Sequence, residues 1–218
     1  LRSMDEKARK DAEAIDLLYA QLRPTPGAPL VKQDELNKKI SAASEYVIKL
    51  VYYSAVTFRQ EMKFDPRVME RAIPLFRALI YSDKEKRFHQ NHAQLGIALK
   101  DKCEPEWAEA EKELTTAIEI RGEKEGDRSL DYYEYHRSLC RIHLDENYVR
   151  KPSQPALGQI RDRILKDLDL ASREYSVFIR KDDIINDWLQ VNGIDISRFN
   201  PRGLSIGDSP GTCEKPGM

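Results

Sequence analysis

Cysteine is scarce in this chain of 218 residues: Cys103, Cys140 and Cys213 lie far apart, and none belongs to a C-x-x-C pair. That excludes a disulfide framework and predicts a reducing, intracellular setting, the cytoplasm. Glycine (10) and proline (11) are few and gathered at a small number of places, which leaves long stretches free to be helical. No apolar run approaches the roughly 20 residues that a membrane-spanning helix needs. Residues 1–10 carry Arg2, Asp5, Glu6, Lys7, Arg9 and Lys10 without an apolar stretch, so they do not read as a secretory leader. An excess of one charge is missing as well. Lys and Arg (36) nearly balance Asp and Glu (37), which argues against a nucleic-acid module. Phosphate-binding loops of the G-x-x-x-x-G-K-S/T and G-x-G-x-x-G types, the H-E-x-x-H metal motif and a nucleophile elbow are all absent. With no fixed acid–base pair either, the reading is of a protein that is not an enzyme and takes no cofactor.

What is present is helical periodicity. Met4, Ala8, Ala12, Ile15, Leu18 and Leu22 step by three or four and predict an amphipathic helix ended by Pro24, Pro26, Gly27 and Pro29. One long buried helix is expected over residues 34–62, through Ala43, Val47, Leu50, Val51, Ala55 and Phe58. Asp65-Pro66 reads as a helix start, with Val68, Met69, Ala72, Leu75, Phe76 and Leu79 following and Pro74 expected to bend or shorten the segment. Further helices are expected over residues 87–102, 105–121, 130–145 and 156–180, with Gly122 and Gly126 closing the second of these. A polar loop is expected at 146–155, and a short helix around Ile184, Ile185, Trp188 and Leu189. From Asn200 onward Pro, Gly, Ser and Asp dominate, and that tail reads as disordered. The expected organisation is an N-terminal helix and Pro-rich turn (1–30), a helical domain (31–190), and a capping segment with the tail (191–218). Trp188 and Phe199, within IINDWLQVNGIDISRF near the carboxy end, would cover an exposed apolar end.

Residues 91–121 read NHAQLGIALKDKCEPEWAEAEKELTTAIEIR. Leu95-Gly96 and Ala98, followed by Trp107, Ala110, Leu114 and Ala117, resemble the tetratricopeptide repeat, in which small residues let two helices approach while bulky ones interlock. Two extra residues in the turn and the lack of a Pro after Ile120 depart from that family's pattern. Ala72, Phe76 and Leu79 after Leu50-Val51, and Leu139-Cys140 followed by Ile164, Leu168 and Ala171, match more weakly. From Leu95 to Leu139 is 44 residues, against about 34 in a regular repeat. The resemblance covers roughly residues 41–178. It implies an all-α superhelix, a right-handed solenoid of about three antiparallel helix pairs with extra helices at both ends.

The same resemblance implies a scaffold or adaptor that holds a peptide or protein segment in a concave groove lined by the first helix of each pair. Taking Leu50, Leu95 and Leu139 as equivalent contacts, the groove-facing set is Lys49 and Tyr52, then Gln90, Gln94 and Lys100, then Arg137 and Arg141, a set suited to an acidic peptide. The carboxylate grip of some family members is not reproduced, because Ile48, Tyr52, Gln94 and Ser138 stand at the relevant places. His92 and His136 occupy equivalent positions but lack further ligands for zinc, so all four histidines are read as structural and no metal is expected. The alternative is a structural or regulatory helical segment of a larger protein; a helical sensor or enzyme around His92 and His136 ranks below both. Neither nucleic acid nor membrane is an expected partner, and the oligomeric state is open.

Overall fold

A computed structural model describes residues 2–24, 31–122, 130–150 and 154–199. Among them the secondary structure is ten α-helices and one closing 3₁₀ turn, with no strand. The expected tail from Asn200, Gly126, Cys213 and residues 151–153 of the expected loop lie outside the described residues. No described helix is long and apolar enough to cross a membrane.

The first helix, α1 (Arg2–Leu22), buries Ala14, Leu18 and Leu22 as its periodicity demands. The expected single helix over 34–62 is instead two, α2 (Gln33–Ala42) and α3 (Glu45–Glu61). Ala43 and Ser44 are extended between them, with ψ of 166° and 155°. A tertiary contact accounts for the break. The Asp11 carboxylate of α1 accepts hydrogen bonds from the Ser44 N–H (2.7 Å) and hydroxyl (2.8 Å), while Ser44 Oγ caps α3 at the Val47 N–H. Periodicity alone cannot see a partner thirty residues away.

α4 (Pro66–Ser82) starts where expected: Asp65 accepts from the Arg67 N–H at 2.9 Å, and Pro66 takes the first turn, where no N–H is needed. It nevertheless runs unbroken through Pro74. The carbonyl that Pro74 leaves without a donor belongs to Glu70, an exposed residue, and the Pro74 carbonyl accepts from Gln33 Nε2 at 3.0 Å. Packing of Leu75, Phe76, Ala78 and Leu79, each 1% exposed or less, holds the second half of the helix in place.

α5 (His89–Asp101) and α6 (Trp107–Arg121) approach closely at Gly96. A Cβ at Gly96 would stand 2.7 Å from Leu114 Cγ and 3.0 Å from the Ala110 carbonyl oxygen. The leucine tip can move, but the backbone oxygen cannot easily do so. Gly96→Ala at an exposed helical site would gain about 1 kcal/mol from propensity, yet overpacking costs roughly 1–3 kcal/mol. The expected net result is a loss of about 1 kcal/mol, read as a lower urea midpoint with unchanged slope. α6 ends at Gly122, whose φ of +67° suits a residue without a side chain, and whose N–H bonds to the Ile118 carbonyl at 2.9 Å.

α7 (Leu130–Leu144) joins two apolar cores. Tyr133 and Cys140 belong to the first, built from α1 to α6; Leu139 and Ile142 belong to the second. A buried ion pair, Arg121 Nη2 to Glu134 Oε1 at 2.6 Å, ties α6 to α7. The expected polar loop contains a short helix, α8 (Glu146–Arg150). α9 (Gly158–Lys181) kinks at Tyr175 (φ −110°, ψ 20°). Asp182 then caps α10 (Asp183–Val191) by accepting from the Ile184 and Ile185 N–H groups, both at 3.1 Å. Ile185, Trp188, Leu189 and Phe199 of the 3₁₀ turn (Ile196–Phe199) complete the second core and are essentially inaccessible.

Each helix from α3 to α7 packs on its neighbour in the chain, α7 packs on α9, and α5 also touches α7.

Candidate functional site

The seven candidate residues from the sequence lie on α3, α5 and α7, and the structure divides them. Lys49 is exposed and paired with Glu45 one turn earlier (2.7 Å). Tyr52 is half-buried, set edge-on against Tyr53 with ring centroids 5.3 Å apart, and burial pushes its hydroxyl above the usual tyrosine range. Gln90 is exposed in the first turn of α5, and Gln94 is half-buried one turn on.

Three candidates are not the solvent-facing groups expected. Lys100 is only 9% exposed, with its ammonium on the Asp101 carboxylate. Arg137 donates from Nε (3.0 Å) and Nη2 (2.7 Å) to the two oxygens of Asp167 on α9, and from Nη1 to Thr115. Arg141 donates to Asp167 from Nη1 (2.9 Å) and to Glu111 of α6 from Nε (2.9 Å). Asp167 is fully buried, so the two guanidiniums and two carboxylates form a lock between α6, α7 and α9. The correction has a simple physical source. Heptad-like spacing identifies the side of a helix, but a charged residue at its edge turns inward wherever the next helix offers a counter-charge.

The histidines are placed as packing groups. His92 Nδ1 lies 2.6 Å from Glu113 Oε2, His89 Nδ1 lies 3.0 Å from the Tyr133 hydroxyl, and His143 stacks on Trp107 with centroids 3.8 Å apart. Among the described residues no group of three or more His, Cys, Asp or Glu side chains is arranged to hold a metal ion. Cys103 is exposed and free; Cys140 is buried, which pushes its thiol up to about 12.

His136 differs from the others. It is 8% exposed, and neither ring nitrogen has a hydrogen-bond partner. Tyr132 and Tyr135 present their rings edge-on to it at 4.5 and 5.1 Å. Burial, then the charges of Lys100 and Arg59, hold its pKa well below the ordinary histidine value. In the unfolded chain this ring protonates near pH 6.5, whereas in the folded protein it stays neutral to lower pH. Below about pH 6.5 the unfolded state therefore binds the extra proton, and stability falls with falling pH by up to about 1.4 kcal/mol per unit. Urea midpoints at pH 7 and pH 5.5 check this: His136→Phe should lose less stability over the interval than the natural protein does.

Arg59, in the last turn of α3, was not among the sequence candidates. It is 2% exposed, lies 5.4 Å over the Phe76 ring, and donates from Nη1 to the Gln94 carbonyl at 3.1 Å. Its Nε is buried without a partner, as is Gln94 Oε1. Among the described residues no carboxylate is in ion-pair contact with it, although the charge of Asp101 reaches it. Its position in the step Val51, Ala55, Arg59 was the available signal: a charge on the buried stripe of a helix calls for a counter-charge.

Around these groups lies an aromatic cluster. Tyr175, at the kink of α9, packs on Tyr132 (5.4 Å), Tyr135 (6.4 Å) and Phe178 (5.7 Å), and the Tyr135 hydroxyl donates to Asp182 at 2.9 Å. Phe178 remains 57% exposed, as do Tyr53 (64%) and Tyr46 (76%) on α3. Arg59 acts electrostatically on both Tyr52 and Tyr132.

These elements define an all-α protein of consecutively packed helices with exposed aromatic rings on α3 and α9. No family model, curated protein or solved structure matches the chain.

Proposed function

We propose that the protein is a non-catalytic interaction module that binds a peptide or protein segment along the face of α3, α5 and α7, with the helices stacked as in a tetratricopeptide-like superhelix. The supporting observation is the set of exposed aromatic groups: Tyr46 and Tyr53 on α3 and Phe178 on α9 are large rings left 57–76% exposed, Tyr53 against half-buried Tyr52 and Phe178 against Tyr135 and Tyr175. Rings of this kind supply rigid contact area at small entropic cost and dominate binding energy at interfaces. The close approach of α5 and α6 at Gly96 supports the repeat-like stacking. We place the protein in the cytoplasm as an adaptor without cofactor or metal.

The test is selection from a synthetic library of short random peptides with free carboxyl ends. Enriched peptides should bind the natural protein and lose about tenfold or more in affinity to Tyr53→Ser with Phe178→Ser. Both positions are exposed, so melting temperature should stay the same. No enrichment, or undiminished binding by the double variant, would refute the proposal.

A second reading rests on other exposed apolar groups, Leu144 (42%), Val149 (56%) and Leu157 (67%), at the far end of α7 and beyond. They suit a surface covered by another part of a larger protein.

A further inference from the structure

α1 packs on α2, and the two helices carry the same spacing: two cations followed a turn later by a third group, Arg9, Lys10 and Glu13 on α1 and Lys38, Lys39 and Ala42 on α2. These six residues line one cleft of about 250 Å³. Four of them are cationic and one is acidic, in a chain whose charges nearly balance. Glu13 is shared, accepting from Lys39 Nζ at 2.5 Å on one oxygen and from Arg9 Nη1 at 3.3 Å on the other. Lys10 takes Glu6 of its own helix at 2.8 Å. The Lys38 ammonium has no ion pair or hydrogen bond among the described residues. Asp11, the next acid on α1, is taken up by Ser44. The cleft therefore gathers more positive charge than its own acids answer. Lys39 and Glu13 are only 34% and 32% exposed, so water screens that excess incompletely.

We propose that the α1–α2 cleft is a binding site for a phosphate dianion, free or as a monoester, held by Arg9, Lys10, Lys38 and Lys39. Its volume falls below the roughly 300–1,000 Å³ of sites for drug-sized ligands, which suits a single small group. Charge selects the dianion. A monocarboxylate would do for Arg9 and Lys39 no more than Glu13 already does, whereas a phosphate brings close to two charges and three strong acceptor oxygens. Ammonium groups meet it as point charges from several directions, and Arg9 adds a planar fork able to grip two oxygens. Glu13 is then an internal competitor: it occupies Arg9 and Lys39 in the free protein, and the ligand takes these cations from it. The site stands on α1 and α2 and does not depend on the groove reading.

The test is a titration of the isotope-labelled protein, followed through its backbone amide shifts at constant ionic strength and about pH 7.5, where the phosphate is mostly a dianion. The probes are inorganic phosphate, glycerol phosphate and acetate. Phosphate should move residues 9–13 and 38–42 in a saturable way, and acetate should bind about tenfold more weakly or fail to saturate. Whichever of inorganic phosphate and glycerol phosphate binds tighter tells a free ion from an esterified ligand. Lys38→Met should weaken phosphate binding about two- to fivefold with the melting temperature unchanged, because Lys38 is exposed and holds no other group. Glu13→Gln removes the competitor and should tighten binding about two- to fivefold, even where loss of the link to Lys39 lowers the melting temperature.

Shifts spread evenly over the exposed lysines of the whole chain would show general screening and overturn the proposal. Phosphate and acetate that saturate alike would make the cleft a site for any anion and overturn it too. A phosphate affinity left unchanged by both Lys38→Met and Glu13→Gln would have the same force, since neither group would then face the ligand.

Discussion

Asp167→Ala should be among the most damaging single substitutions in the protein, lowering stability by about 3–5 kcal/mol. Asp167 is fully buried and receives three hydrogen bonds from two arginines whose side chains are only 11% and 17% exposed. Removing the carboxylate leaves both guanidiniums in a poorly solvated space between α6, α7 and α9, with only Thr115 and Glu111 as remaining partners. For a chain of this length the melting temperature should fall by on the order of 10 °C. Replacing all three groups with apolar residues of similar volume, Asp167→Leu with Arg137→Met and Arg141→Met, should recover most of the loss, because a buried ion network costs nearly as much to desolvate as it returns. A drop of less than about 1 kcal/mol for Asp167→Ala would show the lock to be loose and solvated. A practical consequence concerns Arg137 and Arg141 as binding residues. Reversing their charge sets them against Asp167 and Glu111, so loss of partner capture in such variants would report unfolding and not a lost contact.

Trp188→Ala should cost a comparable amount, about 3–5 kcal/mol. The indole fills the centre of the second core with Ile164, Leu168, Ile185 and Phe199, and its Nε1 donates to Asp145 at 3.1 Å. Alanine would leave a cavity and would also take a donor from a carboxylate that is 1% exposed. Trp188→Phe separates the two effects. It keeps most of the apolar volume and should lose only the hydrogen bond to the charged group, about 1.5–3 kcal/mol. Calorimetric melts of the two variants check both figures, and an alanine variant that melts within a degree or two of the natural protein would show that α10 is not a built-in part of the core.

How much of this was legible in the sequence depended on the range of the interaction. The 3.6-residue step placed α1, α4, α5, α6 and α7 to within a few residues, since each buries one apolar stripe and ends at a local signal such as Asp65-Pro66 or Gly122. Gly96 was legible for the same reason: a glycine between apolar residues inside a helix implies a close neighbour. The break at Ser44 was not legible, because its cause is Asp11 on another helix. The continuity through Pro74 depends on packing of the second half of α4, which propensity does not include. Among site residues, Tyr52 and Gln94 are half-buried, while Arg137 and Arg141 were diverted by Asp167, a partner 30 and 26 residues distant. Arg59 and Tyr175 were missed for opposite reasons. The first stands as a charge on an apolar stripe, whereas the second continues the apolar stripe of Ile164, Leu168 and Ala171 and reads as a packing residue.

The central claim, that the α3–α5–α7 face holds a polypeptide segment, is tested most directly by mapping a library-selected peptide on the isotope-labelled protein through backbone amide shifts. The account predicts changes concentrated on residues 46–59, 89–101 and 132–141 and around Tyr175 and Phe178, with α4 and α6 little affected. Shifts concentrated on α4 and α6, or on α8 and Leu157, would contradict it.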